Sequence, residues 1–407
     1  MENVIIKIYR GTHQIGGSIV EIKTKQARVI IDIGEELPSA NKSDTVFDID
    51  GVTKGKSNCD AVLVTHYHGD HVGMYERVLP EIPIYMGSVA KKILNIVQST
   101  LKKKLDKGDP VRIQTFKEFE IGKPFYIKDI KITPFMIDHS AFDAYMFLIE
   151  ANGKRILHTG DFRMHGAKGR KLPQILEKYA KNIDLLITEG TMLSRPNEHV
   201  MTEHELGAEA KKLIHDNKNV FVLCSSTNID TIAEFYSATI ENKKPFVVCD
   251  EMQEDILKVV TTKAKSSFYD FSRQEVYRYN ANKKLNKYMS DCGFCLIGRT
   301  NFATQKAIEK FPNNLIIYSM WTGYLDEAHP AFDKYKSDWI KMVVEKGSKL
   351  LYLHTSGHAT IEEIKQVCDI TQAKMILPIH TERPEAFATF AINADIKLLQ
   401  DGDTITF

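Results

Sequence analysis

The chain has 407 residues, 43% hydrophobic and 26% charged, a balance that excludes a disordered or fibrous protein. Its 54 Lys and Arg against 53 Asp and Glu leave a net charge of +1, which argues against a wholly basic nucleic-acid binder but leaves local patches open. No stretch approaches the roughly 18 uncharged apolar residues of a membrane helix, and the opening MENVIIKIYRGTHQ lacks a secretory pattern; a cytoplasmic protein with no membrane partner is expected.

Taken in chain order, the first third is rich in short β-branched runs bounded by Gly, Lys or Asn: VIIKIYR, SIVEIK, ARVIIDIG and DAVLVTH. KDIKITPFMI, AYMFLIE, KRILHTG and DLLIT continue the series, with helical patterns over 87–104 and 170–181. A second region begins near residue 200, where Thr202 and Glu205 form a capping box opening the helix TEHELGAEAKKLIHD. Strand and helix then alternate: VFVLCSS, 228–240, PFVVCD, 252–263, FCLIG, 302–310, NLIIYS. That alternation predicts a parallel sheet with crossover helices. A long helix near 331–346 leads into KLLYLHTSGH, followed by KMILPIH, a helix near 384–393 and two short strands.

The cysteines Cys59, Cys224, Cys249, Cys292, Cys295 and Cys368 are scattered, and reduced, buried thiols are the expected state. Cys292 and Cys295 form a CxxC, but a structural zinc site needs a second pair. Two basic runs, Lys102–Lys104 with Lys107 and Lys283–Lys284 with Lys287, read individually as solvated helix faces.

The strongest chemical signal is THYHGDHVG at 65–73. His66 and His68 lie two apart, so a strand end points both imidazoles the same way. Asp70 and His71 follow at the turn. Three imidazoles and a carboxylate suit zinc, which takes His nitrogen and Asp oxygen. One short segment cannot close two metal sites, so further ligands must come from other strand ends. His139 in FMIDHSAFD, Asp161 in RILHTGDF and His380 in KMILPIH each follow an apolar strand and complete a seven-residue set.

HxHxDH, a later His, an Asp after HTG and a final His at a strand end resemble the metallo-β-lactamase superfamily. The resemblance implies a four-layer αββα sandwich with two Zn²⁺ at one edge of two packed sheets. It would place His66, His68 and His139 on one zinc, Asp70, His71 and His380 on the other, and Asp161 between them. Asp32 in VIIDIG matches the family's first motif, an Asp that orients the ligands from behind. Asp161 and His380 are separated by 219 positions (380 − 161). A second folded unit must sit between them, so the layout is similar to the β-CASP nuclease branch, with an α/β domain at 198–349 inserted into a metallo-β-lactamase domain at 1–197 and 350–407. ITEGT, TSGHAT and PIHTE then put Glu189, His358 and His380 at the branch's later motifs.

The resemblance implies a zinc nuclease that hydrolyses phosphodiesters by in-line attack of a metal-bridging hydroxide. His358 would serve the leaving oxygen, with Glu189 orienting it, so the expected catalytic set is Asp70, Asp161, Glu189 and His358. His380 at the last motif favours RNA over DNA. A DNA nuclease of the same branch and a thioesterase- or lactamase-like hydrolase remain the alternatives, and a homodimer stays open. Ser226 and Asn228, between a strand and a helix, suit either phosphate binding or capping. Ser356 and Arg299 are further candidates for substrate phosphate, while Trp321 and Tyr324 suit either base stacking or core packing.

Overall fold

The computed structural model describes residues 3–37, 47–281, 283–390 and 392–407. Strands β1–β11 are Ile5–Arg10, Ile19–Lys23, Arg28–Ile31, Ala61–Leu63, Ile84–Met86, Lys117–Glu118, Phe125–Ile127, Ile130–Ile137, Ala144–Ala151, Lys154–His158 and Leu185–Glu189. Strands β12–β17 are Asn219–Leu223, Phe246–Val248, Val276–Arg278, Phe294–Gly298, Asn314–Tyr318 and Lys349–Tyr352; β18–β20 are Met375–Ile379, Asp395–Ile396 and Thr404–Thr406. Helices α1–α11 are Gly69–Val72, Ser88–Leu105, Pro110–Gln114, Leu172–Tyr179, Glu203–Asp216, Ile229–Glu241, Glu251–Lys263, Lys283–Cys292, Phe302–Lys310, Lys334–Glu345 and Ile361–Thr371.

The chain divides into two compact units, Met1–His199 with Gly357–Phe407, and Val200–Ser356. The first unit holds two seven-stranded sheets, ordered β20-β1-β2-β3-β4-β5-β6 and β19-β18-β11-β10-β9-β8-β7. Alternation along β1, with Ile6 and Ile8 inward and Lys7 and Tyr9 outward, gives one apolar face. Ile6, Ile8, Val29 and Ile31 of the first sheet pack in one core with Ile130, Phe147, Ile156 and Leu185 of the second. The other face of the second sheet is sealed by Leu172 and Leu176 of α4 and by Ile364 and Val367 of α11. Helix α2 buries Val89, Ala90, Ile93 and Leu94. Two packed sheets clothed by helices are the expected αββα arrangement.

The second unit is a six-stranded parallel sheet, ordered β14-β13-β15-β12-β16-β17. Its central strands β12, β15 and β16 are buried throughout, as strands covered on both faces must be. The capping box of α5 forms as expected: Glu205 N–H donates to the Thr202 hydroxyl at 3.1 Å, and Thr202 N–H to the Glu205 carboxylate at 2.7 Å. Two expectations change. The helix near 384–393 is a 3-10 turn at Pro384–Thr389, and residue 391 lies outside the described residues. Helix α11, with its own capping box from Thr360 and Glu363, stands where the sequence suggested no helix. Among the described residues no helix is long and apolar enough to cross a membrane.

Candidate metal centre

β4 ends just before Val64 and Thr65, and the chain turns through His66, His68 and the short helix α1 at the edge of the first sheet. Asp32 fixes this turn. It lies in the left-handed region at φ 60° and is fully buried. Its carboxylate accepts the Thr65 N–H at 2.8 Å and the Thr65 hydroxyl at 2.9 Å. The other contact is His71 Nδ1, at 2.7 Å from Asp32 Oδ2. Gly34 is required beside it, because a Cβ there would meet the Asp70 carbonyl oxygen at 1.8 Å.

The remaining donors come from the second sheet. His139 follows β8, Asp161 follows β10, Glu189 ends β11 and His380 follows β18. Each histidine has its rear nitrogen tied: His139 Nδ1 donates to the Gly357 carbonyl at 2.6 Å, and His380 Nδ1 lies 2.9 Å from the Thr191 hydroxyl. With His71 held by Asp32, three imidazoles turn Nε2 toward one centre.

At that centre His68 Nδ1 lies 3.1 Å from His66 Nε2 and 3.2 Å from His139 Nε2. Zinc–nitrogen bonds near 2.0–2.1 Å give a tetrahedral edge of about 3.3 Å, so this spacing fits one ion. A second set is Asp70, His71 and His380, with His380 Nε2 at 3.2 Å from Asp70 Oδ2. Asp161 Oδ2 stands between the sets, 3.1 Å from His71 Nε2, 3.6 Å from His380 Nε2, 3.9 Å from His66 Nε2 and 4.0 Å from His139 Nε2. Asp161 Oδ1 is buried with no hydrogen-bond partner among the described residues, and the buried His71 Nε2 faces only carboxylate oxygens, Asp161 Oδ2 at 3.1 Å and Asp70 Oδ2 at 3.9 Å. Such an orphan does not belong in an ordinary polar core but is what a metal ligand leaves behind.

Charge agrees with this. Burial, then the imidazoles of His71, His139 and His68, hold His66 well below the usual histidine range. Burial, then His68, does the same to His139, and burial lowers His68 to about 4. Neutral imidazoles are the ligating form. At His71 burial opposes the charge, but the Asp161, Asp32 and Asp70 carboxylates outweigh it and raise the pKa. Against burial, Asp161 is pulled well below the usual carboxylate range by His380 and His71, and Asp70 by His71 and His380. The two carboxylates thus face the histidines His71 and His380 at the heart of the cluster.

His358 borders the cluster. Its Nδ1 lies 3.1 Å from Glu189 Oε2 and 3.7 Å from Asp161 Oδ2. Its side chain is 23% exposed, against 2% or less for His66, His71, His139, Asp161 and His380. It is thus partly accessible, as are His68 and Asp70, the latter 13% exposed. Glu189 is itself fixed, accepting the Phe162 N–H at 2.9 Å.

Some contributors were not singled out in the sequence. Arg163 and Asp138 form a fully buried ion pair at 3.0 Å, with Asp138 preceding His139 and Arg163 two residues after Asp161. Asp138 also accepts the Gly169 N–H at 2.8 Å. Position next to the ligands was the one available clue. Thr191 and the Gly357 carbonyl gave none.

The other candidates lie in the second unit. Ser226 and Asn228 follow β12, and Asn228 caps α6 by position without a side-chain capping bond. Arg299 follows β15 and pairs with Asp250. Ser356 is buried at the end of that unit. Cys295 is buried in β15 with its thiol pushed up to about 12 by burial, Cys292 is exposed, and all six cysteines are free.

Residues 28–222 match the beta-lactamase superfamily domain, and residues 348–394 match the Zn-dependent metallo-hydrolase RNA specificity domain. The chain is 24% identical to ribonuclease J of Helicobacter pylori (strain J99), with 97% of this chain and 59% of that protein covered. It is 21% identical to ribonuclease J of Mycoplasma genitalium, over 92% of this chain and 68% of the relative. With ribonuclease J2 of Bacillus subtilis it shares 20% identity, over 100% and 75%. The chain thus spans 59% of the length of the Helicobacter relative. A crystal structure of a protein of unknown function from Enterococcus faecalis V583 superposes with a TM-score of 0.78 at 20% identity, covering both chains fully, and shares the fold.

Proposed function

We propose, from the chain's membership of the metallo-β-lactamase superfamily in its RNase J-like β-CASP branch, that it is a zinc-dependent ribonuclease. The observation that carries this is the convergence of His66, His68, His139, Asp70, His71, His380 and Asp161 on one centre beside the partly exposed His358. The RNA specificity domain matched at 348–394 includes His358 and His380 and favours RNA as the substrate. The alternatives, a DNA nuclease or a thioesterase-like hydrolase, find no support in the relatives' names.

In this reading His66, His68 and His139 would hold one zinc and Asp70, His71 and His380 a second, with Asp161 available to either. Bound zinc supplies an acidified water and neutralises phosphoryl charge. The chain's own residues do the rest. Asp32 and Thr65 fix the ligand turn. Glu189 accepts the His358 Nδ1 proton and so turns His358 Nε2 toward the leaving oxygen, where it delivers a proton. Burial opposes charge on His358, but the Glu189 and Asp161 carboxylates raise its pKa, which suits a proton donor. Ser226, Asn228, Arg299 and Ser356 contact the substrate backbone. These residues all belong to the second unit, Val200–Ser356.

The test is time-resolved digestion of matched 5′-labelled single-stranded RNA and DNA at one ionic strength. RNA should be cut faster, with turnover falling as salt rises. The ladder of products separates end-first from internal cleavage. Equal or faster turnover of DNA would overturn the RNA assignment, and no cleavage of either would overturn the nuclease reading.

A further inference from the structure

In the second unit, β15, β12 and β16 are neighbours in that order, and Leu223 is level with both Gly298 and Tyr318. The chain therefore leaves three adjacent strands side by side, at the carboxyl edge where parallel sheets bind ligands. The residues at those exits are Cys224–Asn228, Arg299 and Ser319–Leu325. Ser226 Oγ, Asn228 Oδ1, Arg299 Nε and Ser319 Oγ are all buried there without a hydrogen-bond partner among the described residues. Ser226 is 4% exposed, Asn228 8% and Ser319 1%. Buried polar atoms left unmatched on three neighbouring exits indicate a polar ligand.

The third exit also carries aromatic rings. Trp321 is half-buried, and Tyr324 is 36% exposed. The ring of Tyr324 meets the indole edgewise, 5.4 Å away at 78°, and that of His329 does so at 4.6 Å and 88°. A Cβ at Gly323 would come within 2.3 Å of the indole, so only glycine lets Trp321 lie against this turn. Met320 and Leu325, on either side of the pair, pack against the hydrophobic core of this unit. Asp326 of this loop accepts the Ala328 N–H at 3.0 Å, while Glu327 pairs with Lys341 at 3.2 Å and Asp333 with Lys336, whose ammonium sits 4.9 Å over the Tyr324 ring. An anionic chain meets no unpaired carboxylate from Glu327 or Asp333.

We propose that Trp321 and Tyr324 form a stacking platform for an unpaired nucleobase of single-stranded RNA, next to the polar exits that hold its backbone. The proposal rests on the ribonuclease reading and extends it to a base-binding subsite. Every base has a π-face, so such a platform tolerates sequence, and it contributes on the order of tenfold in affinity per stacked base.

The protein has two tryptophans, Trp321 and the buried Trp339. Trp339→Phe in the full chain leaves Trp321 as the sole indole emitter. A cleavage-resistant phosphorothioate RNA of 12 nucleotides is titrated in, with anisotropy of a labelled copy as the independent measure of binding. Trp321 emission should be quenched over the concentration range in which anisotropy rises. In the wild-type background, Trp321→Ala should bind on the order of tenfold more weakly and Trp321→Phe less so, with zinc content and circular dichroism unchanged. Saturating anisotropy with unaltered emission, or full affinity in Trp321→Ala, overturns the platform while leaving the nuclease standing. If the wild type bound no RNA at all, the ribonuclease reading and the platform would both fall.

Discussion

Arg163→Met tests whether the buried ion pair, and not only the ligands, holds the metal edge together. Arg163 and Asp138 have side chains with no exposed surface and meet at 3.0 Å. Met fills most of the arginine stem but leaves the Asp138 carboxylate buried without its counter-charge. Removing one partner of such a pair costs about 3–5 kcal/mol. The amides of Lys168 and Gly169 still donate to Asp138, which places the expected loss near the lower end, about 3 kcal/mol. Because Asp138 adjoins His139 and Arg163 follows Asp161 by two, the variant should also release zinc to a chelator faster than wild type. Asp138→Asn combined with Arg163→Met removes the stranded charge and should regain most of the stability. Denaturant unfolding of zinc-free protein measures the first effect, and metal analysis after chelator challenge the second. A loss below about 1 kcal/mol, or a double variant no better than the single, would refute the argument.

His358→Ala should lower turnover roughly 10²-fold or more, while zinc content and RNA affinity stay near wild type; full activity would remove His358 from the chemistry. Elemental analysis of chelator-free protein should find about two zinc ions per chain and fewer in Asp161→Ala, and equal content in both would count against the centre. Glu234→Gln addresses a pH effect in the second unit. Burial, then the carboxylates of Glu203, Asp230 and Glu241, raise Glu234 to about 7. A carboxyl whose folded pKa lies above its unfolded value near 4.3 holds its proton longer when folded, so its stabilisation is present below about 4.3 and lost as pH rises through about 7. The group is partly exposed, so the gain of Glu234→Gln at pH 8.5 is about 1 kcal/mol after allowance for screening, and near zero at pH 4.5. Equal gains at both pH values in denaturant titrations would show that the buried charge is not the cause.

The sequence by itself determined the chemistry that is local. HxHxDH announces a metal because two-residue spacing on a strand end and the turn after it already aim the imidazoles. Short β-branched runs mark strands such as β1, and the alternation of strand and helix after residue 200 predicts the parallel sheet whose central strands β12, β15 and β16 are buried throughout. A capping box of Thr202 and Glu205 marks the start of α5, and the same device, Thr360 with Glu363, opens α11. Pro384 and the residues after it resembled a helix start, yet six residues of 3-10 turn are all that forms there.

Tertiary structure decided everything that depends on contacts far apart in the chain. Gly357 lies 218 positions from His139, yet its carbonyl selects which nitrogen of that ring turns inward. Thr191, 189 positions from His380, holds the ring of the last ligand at 2.9 Å from its hydroxyl. Asp161 could be recognised as a ligand, but its place between two sets follows only from the packing of one sheet edge against the other. Asp138 and Arg163 are unremarkable letters in sequence. They matter because folding removes both from water at once, and a charge so buried is stable only opposite its partner.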